Sequence, residues 1–175
     1  MNDMILIRPE EKYADDIKAY RQELLDSGSS MDGCGPLRRM EEPAEWIEYS
    51  LLGEKKESCP EHLVPSTQFL YVRKTDDKIV GMIQVRHYFN EYLEKYAGHI
   101  GYSVRPSERR KGYAREMLKA ALPYCKQLGI DKVMLACVDS NEASRRTILS
   151  NGGVYEKTVY EPKNSVNLEQ YLIKL

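Results

Sequence analysis

Between Glu10 and about Leu25, the residues Tyr13, Ile17, Tyr20 and Leu24 recur at spacings of three and four, which predicts a helix with one apolar face. Ahead of it, Ile5–Arg8 is a short strand-like run closed by Pro9. Asp26–Pro36 carries Gly28, Gly33 and Gly35 among serines and reads as a loop. A second helix is expected over Glu41–Leu52, with Pro43 in its first turn and acidic residues near its positive end. The polar, proline-containing stretch Glu54–Ser66 is a second connection. The period then changes from helical to alternating. Thr67–Arg73 and Lys78–Tyr88 are rich in β-formers, and Thr75-Asp-Asp77 supplies the tight turn of a hairpin. Gly98–Val104 is a third strand of this group.

Gly112–Leu128 has the strongest helical pattern, with Met117, Leu118, Ala121, Leu122, Cys125 and Leu128 on one stripe and Gly129 as terminator. Lys132–Val138 is the continuous apolar run of a buried strand. Asn141 can cap a further helix to about Ser150, stopped by Asn151-Gly-Gly153. Val154–Tyr160 and Leu168–Leu175 are expected as two more strands. The order is strand, two helices, three strands, helix, strand, helix, two strands. It predicts one α/β domain over residues 1–175, a mixed sheet in a single layer with helices packed on it. The unit Gly98–Val138 is expected to be parallel and right-handed. Antiparallel hairpin gives way to parallel unit there, and ligands favour the carboxyl ends of strands at such switches.

Charge changes the picture little in total and much locally. Lysines and arginines number 26 against 27 acidic residues, which argues against a nucleic-acid partner. No stretch approaches the ~20 apolar residues of a membrane span, and no apolar leader follows Met1, so a cytoplasmic protein is expected. Cys34, Cys59, Cys125 and Cys137 are scattered without metal-ligand spacing, so reduced thiols and no metal are expected.

The local exception is Gly101-Tyr-Ser-Val-Arg-Pro-Ser-Glu-Arg-Arg-Lys-Gly-Tyr-Ala114. A strand ends at Val104, a basic turn follows, and a helix begins at small residues. Helix N-termini carry unpartnered N–H groups and partial positive charge. Arg109, Arg110 and Lys111 delivered there, with Gly112 removing bulk, suit a pyrophosphate. The spacing is neither that of a nucleotide P-loop nor that of a dinucleotide fingerprint.

With this motif between strand and helix, the chain resembles the GNAT superfamily of acetyl-CoA-dependent N-acetyltransferases, most strongly over Gly98–Gly153. Asn141-Glu-Ala-Ser144 and Asn151-Gly-Gly153 resemble a bacterial subgroup of that family. The resemblance implies a mixed, mostly antiparallel sheet of about seven strands with flanking helices and a splayed parallel pair, the fourth strand bulged. It implies acetyl-CoA as co-substrate, its pyrophosphate held by Arg109, Gly112 and Ala114 with backbone N–H groups of Arg110, Lys111 and Tyr113. Ser103 and Val104 would pair with the pantetheine arm, Val104 would offer the backbone oxyanion donor, and Asn141 and Ser144 would meet the CoA arm. The implied reaction is direct attack of a primary amine, on a small molecule or a peptide, in a ternary complex. Many members protonate the thiolate with a Tyr on the helix after the fifth strand, but Ser144-Arg-Arg-Thr-Ile-Leu149 has none. That keeps open a non-catalytic module that senses acyl-CoA. Candidates for the base are His99, Asp139, His87 and Glu91, or a water chain. The loop Ser27–Arg39 is expected to shape the acceptor side. Homodimers are common in the resembled family.

Overall fold

A computed structural model describes residues 3–175. Strand β1 (Met4–Ile7) leads through a single 3-10 turn into helix α1 (Ala14–Asp26), and α2 (Pro43–Leu52) follows after the glycine-rich loop. Then come β2 (Ser66–Arg73), β3 (Lys78–Arg86), β4 (Ile100–Val104), α3 (Tyr113–Gln127), β5 (Lys132–Val138), α4 (Glu142–Ser150), β6 (Val154–Glu161) and β7 (Val166–Lys174). The order matches the expectation element for element. No helix among the described residues is long and apolar enough to cross a membrane.

The seven strands do not form one continuous sheet. Four pair antiparallel in the order β1-β2-β3-β4 and three in the order β5-β7-β6. The expected parallel ladder between β4 and β5 does not form. The strands run in the same sense, His99 donating its N–H to the Met134 carbonyl (2.8 Å) and Tyr102 reaching toward Cys137 and Ser144. They meet only at a single antiparallel-type bridge, Gly98 to Leu135, and then part. Gly98 makes that bridge, at φ +71°, because a Cβ there would stand 2.3 Å from the Met134 carbonyl oxygen. A one-turn π-helix, Leu93–Ala97, unforeseen in the sequence, delivers the chain to this bend.

The bulge expected in β4 is absent, since β4 keeps unbroken register with β3 from Val85–Ile100 to Gly81–Val104. The register instead shifts between Tyr71 and Val72 of β2, which leaves one extra residue in β3. As a result Val80 and Gly81 both turn toward α3, and Met117 packs directly over Gly81, where a Cβ would be 2.8 Å from its sulfur.

Each face of the four-stranded sheet carries its own core. On one side Ile17, Tyr20 and Leu24 of α1 and Trp46 of α2 bury against Leu70, Val72, Ile79 and Met82. On the other, Met117, Leu118, Ala121 and Cys125 of α3 pack on Phe69, Tyr71, Ile83 and Ile100, and this core continues under β5 and β7. Helix α3 ends as its Gly129 foretells: Ile130 returns its N–H to the Cys125 carbonyl (3.1 Å). Asn141 caps α4 by accepting the Ser144 N–H at 3.1 Å.

Candidate active site

The split between β4 and β5 is the centre of the site, and strand alternation decides which groups face it. Arg86 donates its N–H to the His99 carbonyl and Arg105 donates to that of Val80, so odd-numbered residues of β4 are bonded to β3. The peptide groups of Tyr102 and Val104 therefore face the split. Ser103 does not: its backbone is turned to Met82, its carbonyl also accepts the Tyr20 hydroxyl (3.0 Å), and its Oγ contacts that hydroxyl (2.9 Å) and the Cys34 sulfur (3.3 Å). Of the two β4 residues expected to meet the pantetheine arm, Val104 has its peptide groups toward the split and Ser103 does not, whereas Tyr102 does.

Beyond Val104 the chain turns through Arg110 (φ +64°) and Gly112 (φ +83°) into α3. The backbone N–H groups of residues 110–115 find no acceptor among the described residues. A Cβ at Gly112 would meet nothing within 4 Å. A run of free donors around open space is what an anion at a helix start requires. Arg109 spans the site: its Nε donates to the Val104 carbonyl (3.2 Å) and its Nη2 to the Ser29 hydroxyl (2.9 Å) of the glycine-rich loop. Arg110 is exposed and makes no ion pair among the described residues.

The remaining cations of the motif are already neutralised. Arg105 is buried, with ion pairs to Asp16 and Glu23 at 2.7 Å each. Lys111 pairs with Glu108 (2.8 Å), which also holds Arg73 (2.9 Å) and Lys78 (3.1 Å). These cations, Arg73 foremost, hold the Glu108 carboxyl down to about 2. Tyr113 turns its hydroxyl to Arg73 (3.1 Å), so it and Lys111 can offer the site only their backbone.

Across the split, the first turn of α4 presents Ser144. The Tyr102 hydroxyl lies 2.7 Å from its Oγ. Burial pushes the Tyr102 phenol up to about 12. Asn141 keeps its side chain on the Ser144 N–H, and Ala114 lies in the first turn of α3.

The proton-handling candidates fare differently. His99 is 8% exposed, lies 4.1 Å from Phe89 between ring centroids, and takes the Met134 N–H on Nδ1 at 3.0 Å. Its proton therefore sits on Nε2, and burial, aided by Arg86, lowers it to about 4. The Nδ1 lone pair is thus taken by the Met134 N–H, which argues against His99 as a base. Asp139 is exposed beyond β5; its carboxylate meets Asn167 (3.4 Å) and its carbonyl accepts from Arg145. His87 bonds Thr67 (2.8 Å) under β2, and Glu91 is exposed. Among the described residues no cluster of His, Cys, Asp and Glu could hold a metal. The glycine-rich loop is pinned: the Gly33 carbonyl accepts from Gln68 (2.7 Å), that of Cys34 from Trp46 (2.8 Å), and Gly33 lies against the Gly101 backbone.

Tyr102 was not singled out in the sequence. Tyr102 follows the opening glycine of the motif, and only strand parity shows that it faces the split.

The sequence profile of the Acetyltransferase (GNAT) family matches residues 33–152. No protein of curated function matches the sequence significantly. Among solved structures the chain is similar to the ribosomal-protein-S5-alanine acetyltransferase from Vibrio fischeri, with 17% identity, TM-score 0.73, and coverage of 99% of this chain and 94% of that one. It is similar to RimL, the ribosomal L7/L12 α-N-protein acetyltransferase solved with coenzyme A, at 14% identity, TM-score 0.74, and 100% and 96% coverage. It is also similar to the microcin C7 self-immunity acetyltransferase MccE, solved with acetyl-CoA and AMP, at 20% identity, TM-score 0.71, and 100% and 94% coverage. At these identities the likeness establishes the fold, and the profile match, which spans most of the chain, establishes membership: the protein belongs to the GNAT family of acetyltransferases.

Proposed function

We propose that this protein transfers an acetyl group from acetyl-CoA to the primary amine of a small molecule or a peptide, by direct attack while both substrates are bound. The observation that carries the reading is the run of unpartnered N–H groups at residues 110–115, around open space at Gly112, beside the outward peptide groups of β4. Those donors and the Arg109 guanidinium suit the pyrophosphate, as the neutralised Lys111 side chain does not. The peptide groups of Tyr102 and Val104 can take an extended arm as an added strand. Asn141 and Ser144 flank the same arm from α4.

Acetyl-CoA supplies the acyl group and the thiolate that leaves. The chain's own residues supply orientation and a proton. The Val104 N–H faces the split and can bond a carbonyl oxygen as charge develops on it. The Tyr102 hydroxyl, fully protonated at neutral pH, can hand its proton to the departing thiolate while Ser144 Oγ supports the phenolate. A tyrosine on β4 would thus do what α4, without one, cannot. The four cysteines are all free, in keeping with a reducing compartment such as the cytoplasm.

The test is thiol release from acetyl-CoA over a panel of amino acids, polyamines, aminoglycosides and peptides. Amine-dependent release with an acetylated product is expected. Saturable acetyl-CoA binding without release for any amine would leave only a sensor of acyl-CoA.

A further inference from the structure

On the face of β3 and β4 that carries α1 and the glycine-rich loop, Arg86 has no counter-ion among the described residues. It ends β3 and lies partly buried. Its Nη2 comes against Gly101 of β4, where an added Cβ would be 3.3 Å away. Among the described residues its one side-chain bond is from Nη1 to the Gly98 carbonyl at 3.2 Å. A guanidinium has five N–H donors in a planar fork shaped for a carboxylate. The comparably shielded Arg73 and Arg105 each hold two carboxylates, Asp76 with Glu108 and Asp16 with Glu23. Arg86 holds none, although burial works against its charge.

A negative group stands near but apart. The Asp32 carboxylate is close enough to favour the Arg86 charge, yet the two form no ion pair; Asp32 instead accepts from the Ser30 hydroxyl at 2.8 Å. Loop drift does not explain the gap, because Gly33 and Cys34, the next two residues, are tied to Gln68 and Trp46. The same carboxylate lies within electrostatic reach of Tyr102. A cation and an anion therefore stand on the loop side of β4 at Gly101, one residue from Tyr102 and next to the split.

We propose that the acceptor is a small zwitterion of the α-amino-acid type, its carboxylate held by the Arg86 fork and its ammonium by Asp32. This rests on the acetyltransferase reading above and names the acceptor class for it. A peptide N-terminus or a decarboxylated amine would satisfy Asp32 but leave Arg86 unpaired. Asp32 is placed to take a proton from the ammonium, so that the neutral amine attacks, and Tyr102 returns a proton to the thiolate.

The experiment measures kcat/KM for free α-amino acids, their carboxamides, the matching decarboxylated amines and short peptides, in the natural protein and in Arg86→Gln, Arg86→Lys and Asp32→Asn. Acetyl-CoA binding is followed by calorimetry in each. The free acids are expected to exceed their amides by about 100-fold or more. Arg86→Gln is expected to remove most of that preference, by a far larger factor on acids than on amides, and Arg86→Lys to restore part of it. Asp32→Asn should lower kcat/KM for acids and amides alike. Equal rates for acids and amides in the natural protein would overturn the proposal, as would an equal loss on both in Arg86→Gln, which would mark Arg86 as a support for the Gly98 bend. Turnover of peptides alone overturns this acceptor class and leaves the transferase intact. Acetyl-CoA binding with no turnover of any amine overturns both.

Discussion

The Tyr102 hydroxyl and Ser144 Oγ stand 2.7 Å apart across the split between β4 and β5, joining two elements that share no ladder. The pair sets a phenol that stays protonated at neutral pH against a helix that has no tyrosine of its own. Tyr102→Phe removes the proton and keeps the ring, so its kcat is expected to fall by roughly 10²–10⁴-fold while KM for acetyl-CoA moves little. Because the phenol is held near 12, the natural enzyme should show no alkaline loss of kcat from this group below about pH 10. Steady-state kinetics from pH 6 to 10 decide it. An undiminished kcat in the phenylalanine variant would move the acid elsewhere.

Gly112→Asp and Arg109→Ala address the donor half. At Gly112 an aspartate must adopt φ +83° and put a carboxylate into open space beside the unpartnered N–H groups. The backbone strain costs on the order of 1 kcal/mol, too little to unfold the chain. The apparent KM for acetyl-CoA should rise by about tenfold or more, as two lost charge-assisted bonds would suggest. Arg109→Ala should do the same and free the Val104 carbonyl and the Ser29 hydroxyl. Calorimetric titration with coenzyme A is the check. Unchanged affinity in both variants would end the pyrophosphate assignment.

What the sequence discloses and what it hides follow from how far each cause reaches along the chain. Periodicity and caps are local, so α3 with its Gly129 stop and α4 with its Asn141 cap stand nearly where expected. The bulge was assigned to β4 and lies in β3, because strand register depends on partners far away in sequence. The same remoteness hid that Glu108, which pairs with Lys111 three residues on, also holds Arg73, 35 residues back. His99 looked like a base because alternation cannot show that Met134, 35 residues on, occupies its Nδ1. The isolation of Arg86 is invisible for the same reason, since a missing partner is a fact of packing.

His99→Asn separates support from catalysis. Asparagine keeps an acceptor near the position of Nδ1, so the Met134 N–H stays paired. The rate is expected to stay within about threefold, whereas loss of a general base costs roughly 10²–10⁴-fold. Stability behaves differently. The imidazole is lowered from 6.5 to about 4 in the fold, so its contribution is complete above pH 6.5 and is lost as pH falls through 4. Chemical denaturation from pH 7 to 4 should show a steeper decline for the natural protein than for the variant. A rate loss of a hundredfold at constant stability would restore His99 as the base.

Glu108 makes the opposite kind of test, on the scaffold beneath the anion loop. Its carboxylate is 4% exposed and joins β2, β3 and the turn before α3 through Arg73, Lys78 and Lys111. Glu108→Gln keeps the shape and removes the charge, at a cost on the order of 2 kcal/mol at pH 7. The carboxyl is lowered from 4.5 to about 2, chiefly by Arg73, so its contribution is whole above pH 4.5 and disappears as pH falls toward 2. The stability gap between natural and variant protein should hold from pH 7 to about 5, narrow below 4.5 and close near 2. Because Lys111 loses its partner in the variant, its ammonium becomes available to an anion at residues 110–115, and coenzyme A should then bind no more weakly than before. Urea denaturation at stepped pH, with coenzyme A titrated at pH 7, reads both effects. A gap that stays constant down to pH 3 would show that packing of the side chain, and not its charge, holds the turn in place.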